Sequence, residues 1–498
     1  MTRRGDKARK RKGPLKRSPD LGRLVAEEDC NLAQYYIGRE LYLDRALNMH
    51  DPGVFYMGPK GIGKSAVLQM IRLEKQHDKN RIIDLQPDDL AFSALANLKV
   101  ESPLLAKLNT GQWLFKSLWD YVLLMELWER ENMGEQERWA LFKRLFKGDD
   151  EKRINKLFQI TISDQGRTLT LTDRILQLVK EVELSAQVQD MQVTGKAKIE
   201  AVGNGQFSLL SEINHAVKTL PSMLRNEYYV LIDDLDLYWD NEPSQNAFIA
   251  ALFLSLRRLS RFPVKFVVSI RQDIYRCLPL VDKDKSRDKI TLMKWDAASI
   301  KQMVERRIVT ALGCRISDVW GNLFPDNAFD VLAKHSMGRP RELIELAAMC
   351  VDNAAANGHK RVLADDIGEA LRQYSVYRLG DLDSEYRFIY PGLGDVLNQF
   401  FGKEKEFPFE GIDEMTTKLA CDAIDHGNMG TPWQWAGAFD ERAEDFARLL
   451  LDIGFLQVKA NRTAPPQEYK PDTMGQIKSS MWFAVHPMYA PGLRLLGT

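Results

Sequence analysis

Apolar and polar positions along the chain fall into runs of different period. From Leu24 to Leu47, "LVAEEDCNLAQYYIGRELYLDRAL" places apolar residues at helical spacing and ends near the turn "HDPG", which predicts a helix. "GVFYM" then reads as a short buried strand, followed by a glycine-rich loop and the helix "KSAVLQMIRLEKQ". A second strand is expected in "RIIDLQP", Arg81 to Pro87. "EYYVLIDDLD" is a third strand, apolar until it meets acid. The helix "QNAFIAALFLSLRRLSRF" leads to a fourth, "VKFVVSIRQD", and a shorter fifth, "KITLMKW". Strands that are apolar almost throughout, alternating with helices, indicate a parallel sheet covered on both faces.

Between the second and third strands the pattern changes. Residues 101–220 are mainly helical and rich in aromatics, as in "TGQWLFKSLWDYVLLMELWERE", "ERWALFKRLFKG" and "LTDRILQLVKEVEL". That length far exceeds an ordinary connection and reads as an insertion. Near its end "GKAKIEAVGNGQFSLL" alternates around an Asn-Gly pair, a hairpin signal. The division expected is a basic tail over 1–20, a first part of the sheet core over 21–100, the insertion over 101–220, the second part of the core over 221–295, a helical lid over 296–378 and a C-terminal module over 379–498. In that last part "DERAEDFARLLLDIGFLQVKA" and "SSMWFAVHPMY" give helix, strand, polar loop and strand, which suits a winged helix.

Composition alters this picture little. With 498 residues, 45% hydrophobic and 28% charged, the chain has ordinary globular composition and room for about two to four domains. Cys30, Cys277, Cys314, Cys350 and Cys421 are scattered without CxxC or Cys/His spacing, which argues against a disulfide framework or a zinc site. No apolar run is long enough to span a bilayer and no apolar signal core stands at the start, so a cytoplasmic protein without membrane partners is expected. Charge is more telling. Residues 1–20 carry nine Lys/Arg against Asp6 and Asp20, a net of +7 that the rest of the chain balances to zero. Lacking aromatics and periodicity, this tail is expected to be disordered, and it suits nucleic acid, an anionic surface, an acidic partner or simple solubilisation.

The chemistry concentrates in "GPKGIGKS", Gly58 to Ser65, which satisfies G-x-x-x-x-G-K-[ST] with a strand before it and a helix after it. Backbone N–H groups of Gly58, Pro59-Lys60, Gly61, Ile62, Gly63, Lys64, Ser65 and Ala66 are the expected phosphate-binding stretch, proline contributing shape and no donor. Lys64 would neutralise β- and γ-phosphate charge, and the Ser65 hydroxyl would ligate Mg²⁺. Asp233 at the end of "YYVLID" is the expected second metal-side residue, acting through water, and Asp234 the water-activating carboxylate; an N-cap for the following segment is the plainer alternative. Asp236 reads as a solvated turn residue. In "VVSIRQD", Ser269 and Arg271 stand where a polar side chain can meet the γ-phosphate or the attacking water, or where Arg271 is simply a surface residue. The seven histidines are isolated, and no hydrolase or nuclease constellation accompanies them.

Assembled in this order, the motifs resemble the AAA+/STAND class of P-loop ATPases, nearest the branch of origin-recognition and KAP ATPases and their bacterial relatives. The resemblance spans about residues 25–375. "YYIGRELYLDRAL" is similar to the segment that frames adenine, with Tyr36, Ile37 and Gly38 at the contact; "LIDDLD" is similar to the KAP and STAND acidic strand, and "SIRQD" to sensor 1. "MGRPRELIELA" carries the STAND G-x-P triplet, Gly338 to Pro340, and an arginine at the sensor 2 position, Arg341. An arginine in the first turn of a helix opposes the helix dipole, which a phosphate partner would offset; a salt bridge within the lid is the alternative. Arg287 lies about where AAA+ arginine fingers do, or belongs to a basic loop. The implied fold is an α/β parallel-sheet P-loop core with a helical insertion, a helical lid and a C-terminal winged-helix-like module.

The resemblance implies an ATP- and Mg²⁺-dependent ATPase. With Asp234 in place of the longer Glu, slow hydrolysis is expected, which suits a switch working through homo-oligomerisation or a separate effector protein, in antiphage defence or stress signalling. Two alternatives stay open. One is a DNA-associated, origin-recognition-like ATPase using the basic tail, although "DERAEDFARLLLDIGF" is acidic for a recognition helix. The other is an ATP-stabilised scaffold in which Trp113, Phe115, Trp119, Tyr121, Trp128 and Trp139 are interface anchors rather than core.

Overall fold

Five short strands, apolar for most of their length, build one parallel sheet in the order β2-β3-β4-β1-β5. They are β1 (Phe55–Gly58), β2 (Ile82–Leu85), β3 (Tyr228–Ile232), β4 (Val264–Arg271) and β5 (Ile290–Leu292). The computed structural model describes residues 21–85, 111–133, 212–237, 239–280, 283–425, 433–469 and 475–497. The basic tail, most of the insertion with its hairpin signal, and Trp139 lie outside the described residues. Every residue of β1, β3 and β4 is buried, as strands covered on both faces must be. The chain divides into two compact units, Gly38–Lys294 and Trp295–Thr498 together with the segment ending at Ile37.

In the first unit the strand order decides what meets what. β4 lies between the loop-bearing β1 and the acid-bearing β3, pairing Gly58 with Arg271 on one side and Ile232 with Val268 on the other. The helix α1 (Lys64–Glu74) follows the loop, and α2 (Gly111–Met133) packs on α3 (Pro243–Arg258). Trp119 of α2 donates its indole N–H to the Phe248 carbonyl at 3.0 Å, and the two rings lie 4.7 Å apart. Asp120, fully buried beside it, takes the Lys116 ammonium, the Arg258 guanidinium and the Ser255 hydroxyl. Trp119, Tyr121 and Trp128 are thereby core of this unit rather than exposed anchors.

β4 also carries a buried lysine. Lys265 donates to the carbonyls of Asp51 and Gly53 at 2.7 and 2.8 Å, pinning the entry to β1, with the Asp51 carboxylate 3.7 Å away. Burial draws its pKa down to about 8, against the raising field of Asp51.

The continuous helix expected over Leu24 to Leu47 does not form. The segment divides into short helical pieces at Ala26–Glu28 and Leu32–Tyr35 and, after a break, one run in which a π-helical turn, Arg39–Leu43, passes into an α-helical one, Asp44–Leu47. Two causes are visible: Asp29 turns inward to Arg307 at 3.2 Å while accepting the Asn31 N–H, and Tyr36 is extended (φ −65, ψ 128).

The second unit is helical before it is mixed. α5 (Ala297–Leu312) starts where Asp296 accepts the Ser299 N–H at 2.8 Å and stops at Gly313, φ 61. After α6 (Ala328–Lys334) come α7 (Pro340–Ala356) and α8 (Ala364–Tyr386). Asp366 holds the start of α8 by accepting the Leu363 N–H at 2.9 Å. α9 (Leu393–Asn398), α10 (Phe409–Asp425) and α11 (Ala443–Asp452) accompany an antiparallel sheet of order β6-β8-β7, made of β6 (Glu406–Pro408), β7 (Leu456–Lys459) and β8 (Trp482–Val485). This is the winged-helix-like part of the expected fold. One continuous hydrophobic core, from Leu21 to Leu495, runs through the unit.

Candidate functional site

The site begins where β1 ends. Gly61 and Gly63 adopt φ 81 and φ 102, left-handed values that a side chain disfavours, and Gly63 caps α1. A Cβ on Gly58 would stand 2.9 Å from Ile62 Cγ2, inside the loop itself. The loop therefore packs tightly on its own Ile62 side chain and leads directly into the first turn of α1. Lys64 is the first residue of that helix and is only 9% exposed. Its ammonium donates to the carbonyls of Gly58 and Pro59 at 3.2 and 3.1 Å. Burial pulls its pKa down from 10.5 to about 8, opposed by the fields of Asp236 and Asp233.

Acids arrive from β3. Asp233, 3% exposed, follows its last residue and accepts the Asp234 N–H at 3.0 Å. Asp234 has φ 56, a left-handed conformation that Asp tolerates better than most residues but that still costs of order 1 kcal/mol. Leu235 turns back into the core, and Asp236 beyond it is half-buried. Arg271, the last residue of β4, is 8% exposed and level with Gly58 in the sheet register. Asp273 grips it at two nitrogens, Nε at 3.1 Å and Nη2 at 2.5 Å, and Asp236 lies 3.6 Å from Nη1. Ser269 is buried two residues earlier on β4, level with Tyr56.

These residues fit a magnesium-bound polyphosphate. Lys64 is a buried cation with two carbonyl partners and no direct carboxylate partner among the described residues, so an anion in the loop would complete it. Gly58 to Ala66 would supply the cradle, Ser65 and Asp233 oxygen donors for a hard cation, and Arg271 a second positive charge. No group of three or more His, Cys, Asp or Glu able to hold a metal occurs among the described residues, so the metal's remaining ligands would be phosphate oxygens and water.

The other expected residues are placed as follows. Tyr36 and Ile37 belong to the second unit, Ile37 packing on its core, and Gly38 opens the first. Pro340 is the first residue of α7 behind Gly338, φ 66, whose missing Cβ faces open space. Arg341 in the first turn donates to the Leu24 carbonyl at 3.4 Å. Its neighbour Arg339 is 3.6 Å from Glu342, which accepts the Met337 N–H at 2.6 Å and fixes the turn. Arg287 stands outside the cluster, 84% exposed and 3.5 Å from Asp284. Two residues escaped the sequence reading: Asp236, expected as a solvated turn residue, and Asp273. The spacing of Asp233, Asp234 and Asp236 was visible, but only the fold supplies Arg271 as its partner.

A family profile described as the FunZ-associated C-terminal helical domain matches residues 298–383. Among curated proteins, the chain is similar to the putative transposon gamma-delta 80.3 kDa protein of Escherichia coli strain K12, 24% identical over 470 residues, or 91% of this chain and 64% of that protein. It therefore spans 64% of that relative's length. It is also similar to allergen Alt a 2 of Alternaria alternata, 26% identical over 147 residues, which cover 27% of this chain and 77% of that one. Solved structures that align with it include the Aeropyrum pernix ORC1 protein in complex with DNA, at TM-score 0.37 and 12% identity over 95% of this chain and 96% of that one. Drosophila ORC bound to DNA aligns at TM-score 0.31 and 11% identity, over 99% and 95%. The α/β P-loop fold rests instead on the parallel sheet order and the loop geometry described above.

Among the described residues, no helix is long and apolar enough to cross a membrane.

Proposed function

We propose that the chain is a magnesium-dependent, slowly turning-over ATPase of the AAA+/STAND kind, acting as a nucleotide switch. The observation that carries this reading is Lys64, a buried ammonium that donates to the carbonyls of a glycine loop whose first residue, Gly58, is level with Arg271, and that lies in the field of Asp236 and Asp233. In this reading the loop amides and Lys64 bind the phosphates, and Ser65 and Asp233 hold the metal, Asp233 through water. Magnesium, held there, would supply charge neutralisation for the polyphosphate. Asp234 orients the attacking water and accepts its proton. Arg271 meets charge that develops on the terminal phosphate.

Tyr36, Ile37 and Gly38 are assigned to the adenine and Pro340 with Arg341 to the lid, so that nucleotide state changes how the helical part engages sister subunits or an effector. The antiphage or stress-signalling setting comes from the family resemblance alone. Nucleotide binding by calorimetry and phosphate release test the reading together. Lys64→Ala is expected to remove both and Asp234→Asn to remove release while keeping binding. A chain whose ATP affinity is indifferent to Lys64→Ala is no such switch, nucleotide binding without any phosphate release returns the scaffold reading, and release unaffected by Asp234→Asn removes that residue from the chemistry.

A second reading is favoured by the +7 tail and by a relative described as a transposon protein: a DNA-associated ATPase. DNA affinity whose salt dependence is unchanged on deleting residues 1–20 counts against a tail-driven mode.

A further inference from the structure

We propose that the two carboxylates on Arg271 divide the work: Asp273 is a positioning residue that fixes the plane of the guanidinium, and Asp236 is a stand-in for the terminal phosphate, which displaces it. This rests on the nucleotide reading above. Arg271 closes β4 and is buried, so its charge has to be compensated inside the protein. Asp273, two residues on in the first turn of α4 (Gln272–Cys277), takes Nε and Nη2 together. Such a two-point contact sets the orientation of a planar fork as well as its charge, which a single contact cannot. Asp236 meets the remaining edge, Nη1, at the longer distance of 3.6 Å.

The two acids also differ in what surrounds them. Asp273 is on the element that directly continues β4, so strand and helix start hold the pair as one local unit. Asp236 comes from a different strand's turn, and after burial it is the largest influence on the Lys64 ammonium. One carboxylate thus lies in the field of both cations of the site. A terminal phosphate oxygen, being anionic and an acceptor, suits the same position. A nucleotide lacking that phosphate leaves Asp236 on Arg271. The arginine then reports the third phosphate because an internal acid competes for it, while Asp273 keeps the fork aimed in either state.

The roles predict effects of opposite sign. Affinities of the full chain for ATPγS and ADP, both with magnesium, are measured by calorimetry. Asp236→Asn, which keeps the side-chain shape and removes the competing charge, is expected to tighten ATPγS about tenfold and to leave ADP within about twofold. Asp273→Asn is expected to weaken ATPγS about tenfold with ADP again little changed, the intact ADP affinity showing that the variant is folded. In an Arg271→Ala background the Asp273 effect vanishes, as it does in Arg271→Lys, which lacks the fork, while the Asp236 effect shrinks to the part that acts through Lys64. Weaker ATPγS binding in Asp236→Asn, equal shifts of both nucleotides in Asp273→Asn, an Asp273 effect that persists without Arg271 or an Asp236 effect undiminished without it overturn the division of work while the nucleotide site stands. Failure of the wild-type chain to bind either nucleotide overturns the site reading, and this inference with it.

Discussion

Replacing Lys64 by methionine separates what the loop does for folding from what it does for binding. The drop from 10.5 to about 8 means that the protonated amine carries about 3 kcal/mol of unfavourable energy in the nucleotide-free protein. Methionine fills the same channel with an unbranched apolar chain and forgoes two hydrogen bonds, to Gly58 and Pro59. At about 1 kcal/mol net for each bond the loss offsets most of that penalty, so the variant should be at least as stable as wild type near pH 7. The pH dependence has a definite sign. The folded-state pKa lies below the unfolded one, so the penalty is fully present below about pH 8 and is relieved as pH rises from about 8 to 10.5. The variant's advantage therefore shrinks across that window. Magnesium ATP at 100 times its Kd should stabilise wild type by about 2.7 kcal/mol and the variant by almost nothing. Scanning calorimetry with and without nucleotide reads all three. A Lys64→Met protein less stable than wild type without nucleotide refutes the energetic argument, and one still raised in midpoint by ATP refutes the binding argument.

Three further outcomes follow from other parts of the structure. Gly58→Ala puts a Cβ 2.9 Å from Ile62 Cγ2, a side-chain end that can shift, so nucleotide affinity should fall about tenfold or more with a stability loss of only about 1 kcal/mol; equal losses in both, read by calorimetry and thermal melting, argue against a phosphate cradle. Asp120→Ala strips a fully buried carboxylate from Lys116, Arg258 and Ser255 and should cost about 2 to 4 kcal/mol in denaturant unfolding, because Arg258 keeps partial access to water; a cost below 1 kcal/mol contradicts its role in joining α2 to α3. His486 accepts the Met488 N–H at 3.2 Å on a buried ring, and burial, with His335, Arg339 and Lys405 adding to it, lowers its pKa from 6.5 to about 4. Its contribution is present above pH 6.5 and lost as pH falls towards 4, about 3 kcal/mol in all, and His486→Gln should flatten that part of the stability profile.

What the sequence made legible depended on how far away each residue's partner lay. The run that became β3 is apolar from end to end and that of β4 for most of its length, and a sheet covered on both faces buries such runs; the parallel core could therefore be read directly. The loop was legible for a related reason, since Gly61, Gly63 and Lys64 act with their immediate neighbours. Lys265 was not. A lysine in an apolar strand says nothing of the Asp51 and Gly53 carbonyls that receive it, more than 200 positions away in the chain. Helix periodicity in "LVAEEDCNLAQYYIGREL" was real but lost to a tertiary demand, the pairing of Asp29 with Arg307. The aromatic helix left core and interface open until Trp119 was seen donating to Phe248. Arg271 lies between these cases. Its companion Asp273 is two residues away, yet the pair acquires meaning only because β4 is inserted between β1 and β3 and carries the arginine into the space between loop and acids. Asp236 is the stricter test: without that strand order it is one more acid in a turn, and with it the acid lies in the field of both cations of the site.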